Sequence, residues 1–245
     1  MDARGHQEGR REPDHHAGLS ALALRGQLVV FEGGEGAGKS TQLQRLSSRL
    51  TTAGVPHAVY REPGGTPVGD RIREILLHSD LPLAPAAEAS LFVASRAQLV
   101  HTVVKPALAA GQHILLDRFL LSTYAYQIHG RGLPQRELRA ANELATAGLV
   151  PDLTVLLRLP VTDGLERAGK RGEADRFERA DRGFHDRVAA AFDQFAEASW
   201  QRAHPECGKI VAVDASGTLE EVEARVHAAL VEHCPALFVR AGHRT

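Results

Sequence analysis

FEGGEGAGKST, residues 31–41, constrains the fold of this chain more than any other stretch. It follows the apolar run LVVF at 28–31, precedes a helix-compatible pattern from Lys39 to about Leu50, and fits GxxxxGKS through Gly33, Gly38, Lys39 and Ser40. A buried strand, a glycine-rich turn and a helix start in that order aim backbone N–H groups and a helix N-terminus at one point. That makes a nest for phosphate oxygens. The candidate nucleotide-binding residues are Gly33, Gly34, Glu35, Gly36, Ala37, Gly38, Lys39, Ser40 and Thr41. Lys39 can span the β and γ phosphates, Ser40 can place its hydroxyl on Mg²⁺, and Thr41 supports the helix start. ATP and Mg²⁺ are therefore expected.

The rest of the chain alternates short apolar runs with helical patterns. Strands are expected ending near Tyr60 and at 113–117, 152–159 and 209–215, and helices around 67–77, 85–109, 134–147 and 219–233. This alternation predicts an α/β three-layer fold of the P-loop NTPase type, a mostly parallel sheet flanked by helices on both faces.

Composition narrows the partners. Thirty Asp and Glu against 29 Lys and Arg give a net charge of -1, which supplies no general footprint for nucleic acid. Cys207 and Cys234 have no close partners that would complete a disulfide framework or a four-ligand metal site. No run of 18 apolar residues and no signal-peptide core occurs, so a cytoplasmic protein with no membrane partner is expected. Residues 1–24 read as a flexible extension whose His6, His15 and His16 lack a metal-binding scaffold, 25–237 as one domain, and 238–245 as a tail.

Five landmarks then occur in order: FEGGEGAGKST, REPGGTPVGDRIR, LFVASRAQ, DRFLLSTYAYQIHGRGLP and RGEADRFE. Over about 26–235 the chain resembles bacterial thymidylate kinases, which transfer the γ-phosphoryl of ATP to dTMP. The resemblance implies that Glu35 faces the acceptor's sugar and that Arg61 holds its phosphate, while Glu62 orients Arg61 or lies near Mg²⁺. Phe92 and Arg96, four residues apart on one helix face, are implied to stack on thymine and to reach the base or phosphate. Asp117 is implied to organise Mg²⁺ or its water shell, and Arg118 to bridge the two phosphates. The resemblance also implies that Thr123 reads the pyrimidine edge, that Gln127 assists the acceptor pocket and that Tyr126 crowds a ribose 2′-hydroxyl. Ser95 stands where the family commonly has Asp, and Phe119 where Tyr or His is frequent.

Residues 167–179 by themselves read as a solvated charged face. The resemblance identifies them as a small mobile lid whose Arg171 and Arg176 join Lys39 and Arg118 as catalytic contacts to phosphate, with Arg167 and Lys170 nearby and Gly169 where another arginine can stand. It also implies a homodimer using the 85–109 helix and an adenine-binding loop at Asp214 and Ala215. His101, His113, His129 and His185 are left as packing or surface residues. The P-loop alone also permits a kinase for another deoxynucleoside monophosphate, or a regulator that binds nucleotide without catalysis.

Overall fold

The computed structural model describes residues 25–78, 82–169, 176–177 and 179–239. Arg171, Lys170, the three N-terminal histidines and the end of the tail lie outside them.

Five strands, β1 (Leu28–Glu32), β2 (His57–Arg61), β3 (His113–Asp117), β4 (Leu153–Arg158) and β5 (Ile210–Asp214), form one parallel sheet in the order β2-β3-β1-β4-β5. β1 explains why the sheet is covered twice. Leu28 and Val30 enter one apolar cluster and Val29 and Phe31 another, and all four are fully buried. Side chains of a strand alternate between faces, so a continuous apolar run requires a layer on each side.

One layer contains α1 (Lys39–Thr52) and the final helix. The other contains α2 (Pro67–Leu77), α3 (Pro85–Leu99), which continues through a π-helical turn Val100–Val104 into α4 (Lys105–Ala109), α5 (Leu120–Ser122) with a π-helical stretch Thr123–Gly130, and α6 (Gln135–Thr146). α7 (Val161–Gly169), α8 (Arg182–Phe195) and α9 (Ala198–Ala203) follow β4, and α10 (Leu219–His233) ends the fold. Local chemistry sets several starts. Thr66 accepts from Gly69 N at 2.9 Å ahead of Pro67, and Thr218 with Glu221 forms a capping box for α10.

From β1 the chain runs to one side of the sheet for β2 and β3 and to the other for β4 and β5. The crevice this reversal leaves above the carboxyl ends of β1 and β3 is where open α/β sheets hold ligands. No described helix is long and apolar enough to cross a membrane.

Candidate functional site

The loop after β1 turns through Gly33, Gly36 and Gly38, with φ of 140°, 66° and 92°. Gly36 is required twice over. Its φ disfavours side chains, and an added Cβ would lie 2.0 Å from Gly164 O of α7. Lys39, the first residue of α1, is buried and donates to Gly33 O at 3.0 Å and Gly34 O at 2.8 Å. Burial, with Arg118 close by, lowers its ammonium to about 8.

Ser40 Oγ donates to Asp117 Oδ2 at 2.6 Å, joining the helix start to the end of β3. These two oxygens suit Mg²⁺, which takes few protein ligands and completes its octahedron with water and substrate phosphates. The described residues hold no group of three or more His, Cys, Asp or Glu that could hold a metal ion.

Glu35 and Arg118 face each other across this loop. Arg118 Nη2 donates to Glu35 Oε1 at 2.8 Å, Tyr126 donates to the same oxygen at 2.7 Å, and the Arg118 guanidinium lies 5.0 Å from the Tyr126 ring centre. Arg118 Nη1 also reaches Gly33 O and Ser122 Oγ, at 3.2 and 3.1 Å. The backbone of Arg118 holds φ at 68°, a conformation uncommon for a residue with a side chain. Glu32 over-determines that turn. It is fully buried and accepts from Phe119 N at 2.7 Å, Ser122 N at 3.0 Å and Ser122 Oγ at 2.8 Å.

A cavity of about 600 Å³ opens beside the loop, lined among others by Arg61, Phe92, Arg96, Thr123, Tyr126 and Gln127. Arg61 is exposed where it lines this cavity, and its side chain makes no hydrogen bond or ion pair with the described residues. Glu62 turns instead to Arg96, whose Nη2 lies 2.7 Å and Nε 2.8 Å from its Oε2. Glu62 therefore orients Arg96 rather than Arg61. Burial pushes the Glu62 carboxyl up to about 7 against the pull of Arg96, and its Oε1 is buried without a partner.

Arg96 is 2% exposed. Besides Glu62 it donates to Thr123 Oγ1 at 2.8 Å, to Asn142 Oδ1, and to Phe119 O at 2.7 Å, and it lies 5.1 Å from the Phe119 ring centre. Four of the five N–H groups of its guanidinium thus donate hydrogen bonds, and Nη2 also pairs with Glu62, so Arg96 braces the pocket wall in this arrangement. Ser95 gives it no support. Its hydroxyl accepts from Gly64 N at 3.0 Å, holding the turn after Glu62, while Phe119 packs where a polar ring would.

Phe92 meets Phe177 edge to face at 5.7 Å, and Gln127 Nε2 donates to Glu88 Oε1 at 3.2 Å. Arg176 pairs with Glu88, and Arg167 Nη1 donates to Ala215 O at 3.3 Å, linking α7 to the loop after β5. Asp214 accepts from Ser216 N and Oγ, both at 2.9 Å, which fixes that loop. His113 and His185 are buried and His101 is exposed, while burial lowers His129. Glu32, Glu88, Arg131 and Asn142 are functional candidates that sequence reading missed. For Glu88 a signal existed, since it stands one helical turn before Phe92 and two before Arg96.

Comparisons with known proteins give the family. The family model described as thymidylate kinase matches residues 31–226. A thymidylate kinase of Deinococcus radiodurans is 46% identical over 208 residues, covering 85% of this chain and 98% of the relative. One of Carboxydothermus hydrogenoformans is 46% identical over 173 residues, covering 71% and 85%. The crystal structure of a thymidylate kinase from Ehrlichia chaffeensis, 24% identical, has the same fold with a TM-score of 0.67 over 84% of this chain and 99% of that one. With the P-loop nest, the Glu35–Arg118–Tyr126 cluster and the cavity beside them arranged around one crevice, and with these matches spanning most of its length, the chain belongs to the thymidylate kinase family.

Proposed function

We infer that this chain transfers the γ-phosphoryl group of ATP to dTMP, forming ADP and dTDP for dTTP synthesis. The observation that carries the reading is Glu35, a P-loop carboxylate held by Arg118 and Tyr126 where the phosphate nest meets the acceptor cavity. A nucleotide-binding loop that served ATP alone has no use for a carboxylate so placed, because its charge repels phosphate. A sugar hydroxyl is a suitable donor to it.

An oxygen of the acceptor's phosphate attacks the γ-phosphorus in line, a new P–O bond forms, and the bond to the β-phosphate oxygen breaks to release ADP. The protein's work is positioning and charge. Lys39, now bonded to two loop carbonyls, turns its ammonium to the donor phosphates, and the Arg118 guanidinium lies between donor and acceptor. Arg61, exposed where it lines the cavity, binds the acceptor's phosphate. Phe92 gives the thymine a stacking face, with Thr123 and Gln127 at its polar edge, and Tyr126 closes the space beside C2′ of the sugar. Ser40 and Asp117 are the residues that would hold Mg²⁺, which would neutralise phosphate charge there. The loop after β5, at Asp214 and Ala215, is assigned to ATP's adenine, and Arg167, bonded to Ala215 O, ties α7 to that loop.

A homodimer fits the surface. Val68 and Ile75 on α2 and Leu144 on α6, the last 81% exposed, are apolar side chains on helices packed against α3. Among the described residues, no exposed large apolar side chain lies on 85–109 itself; Val68, Ile75 and Leu144 lie on the helices flanking it, and others lie elsewhere, such as Val59 on β2 and Val231 on α10. A native mass of one chain at working concentrations contradicts this assembly. A cytoplasmic location is part of this reading.

The test is ADP and diphosphate formation with Mg-ATP and, in parallel, dTMP, dUMP, ribothymidine monophosphate, dCMP and thymidine. Matched ADP and dTDP with dTMP preferred supports the reading. Transfer to another monophosphate revises the pocket and keeps the phosphoryl chemistry; binding of ATP with no transfer makes the chain a nucleotide-binding regulator.

A further inference from the structure

Glu88 lies on α3 and is 1% exposed. A carboxylate so deeply buried needs several donors, and this one has four. Gln127 Nε2 reaches Oε1 at 3.2 Å, Arg131 reaches Oε1 with Nε at 3.2 Å and Oε2 with Nη2 at 3.1 Å, and Arg176 Nη2 bonds Oε2. Two cations thus converge on one anion. Both also flank an aromatic ring. The Arg131 guanidinium lies 5.6 Å from the Phe177 ring centre and 4.7 Å from that of Phe184, and Arg176 lies 5.8 Å from Phe177.

Phe177, between α7 and α8 in sequence, is 5% exposed and meets Phe92 at 5.7 Å and Tyr126 at 5.9 Å, both edge to face. It lines the acceptor cavity together with Phe92, Thr123 and Gln127. One carboxylate on α3 therefore ties the Thr123–Gly130 stretch, Arg131 and the Arg176–Phe177 pair into one wall of that cavity.

We propose that Glu88 is a positioning residue for acceptor recognition: by holding Arg176 and Arg131 it seats Phe177 against Phe92 and Tyr126, and so shapes the wall that the acceptor's base meets. The identity of the acceptor rests on the dTMP kinase reading; the latch rests on the contacts alone. Arg176 distinguishes this role from the phosphate contact implied by resemblance. As a latch, its loss weakens the acceptor and spares ATP. As a phosphate ligand, its loss lowers kcat and weakens ATP.

The experiment compares full-length wild type, Glu88→Gln, Arg176→Gln and the double variant in steady-state kinetics with ATP and dTMP, in thermal unfolding, and in amide hydrogen exchange of the peptide carrying Phe177. Gln keeps the size of Glu88 but not its charge, so its pairs with Arg131 and Arg176 weaken. We expect KM for dTMP to rise about tenfold in each single variant, with kcat and KM for ATP within about twofold, and exchange around Phe177 to quicken about tenfold. The double variant is no worse than the worse single one, because both remove the same contact.

Wild-type exchange at Phe177 in Glu88→Gln overturns the proposal, as does a parallel change of kcat and both KM values with a lowered Tm. If Glu88→Gln does not fold, Arg176→Gln decides, since it leaves the carboxylate Arg131 and Gln127. A fall in kcat without a rise in KM for dTMP then overturns the latch. Wild type inactive on dTMP sinks the substrate assignment while the exchange data still decide the latch.

Discussion

The Tyr126 hydroxyl donates to Glu35 Oε1 at 2.7 Å, sharing that oxygen with Arg118. Burial, with Glu35 adding to it, raises the Tyr126 phenol well above its usual value, so it remains a neutral donor throughout the neutral range. Tyr126→Phe removes a hydrogen bond to an ionised group, worth about 1.5–3 kcal/mol, and should lower kcat/KM for dTMP about 10–100-fold while leaving KM for ATP within about twofold. The loss should be the same at each pH tested in that range. An equal loss for ATP would mean that the hydroxyl supports the P-loop as a whole and not the acceptor side.

Lys39 gives the pH dependence. Its ammonium is lowered from 10.5 to about 8, so the free enzyme loses the charge that meets ATP as the pH rises past about 8. We expect kcat/KM for ATP to fall above that pH, and the limb to move upward in kcat, since bound phosphates favour the charged form. The stability effect has the opposite sign. Between about 8 and 10.5 the unfolded chain holds the proton that folded Lys39 has released, so this group makes the protein more stable as pH rises through that window. Denaturant unfolding of wild type and Lys39→Met at pH values across the window checks it; the wild-type rise should be absent in the variant.

Much of this site was legible in the chain because its parts are local. Strand, glycine turn and helix start are contiguous at 28–41, and their order dictates the nest whatever surrounds it. β1, β3 and β4 were legible for the same reason, as apolar runs buried on both faces, while β2 and β5 are only partly buried. Glu62 was not, because it lies in the turn after β2 and its partner Arg96 is 34 residues away on α3. Glu32 was hidden as a charged end to an apolar strand, its role visible only once β1 and β3 lie side by side. α8 carries apolar residues at Phe184, Val188, Ala191, Phe192 and Phe195, a helical period that periodicity can find without any motif. The π-helical turns at Val100–Val104 and Thr123–Gly130 have no such signal, since they add one residue per turn to an otherwise helical pattern.

Ser40 and Asp117 are bonded directly at 2.6 Å, which holds both oxygens ready on the phosphate side of the loop. Ser40→Ala removes one oxygen and leaves Asp117 in place, so the Mg²⁺ concentration for half-maximal rate should rise about tenfold or more. Asp117→Asn keeps the shape and loses the charge, and should lower kcat about 10²-fold at saturating Mg²⁺, in line with the loss of one preorganised electrostatic contact. A Mg²⁺ titration of each variant separates the two effects. Unchanged metal dependence in both would remove them from the metal site.

Gly164 supports the P-loop from α7. A Cβ added there would lie 2.3 Å from Glu35 O, and one added at Gly36 would lie 2.0 Å from Gly164 O, so the two backbones touch where neither tolerates a side chain. Gly164 is helical, and alanine suits a helix, so the contact alone sets the cost of the substitution. Gly164→Ala should destabilise by about 1–3 kcal/mol through overpacking, and it should displace the loop carbonyl of Glu35, raising KM for both ATP and dTMP. Gly169→Ala, in the same helix with open space around its Cβ, is the control and should leave Tm unchanged or slightly raised. Thermal unfolding and kinetics of the pair check the argument. If Gly164→Ala behaves as Gly169→Ala does, α7 gives way to the methyl group and does not set the position of the P-loop.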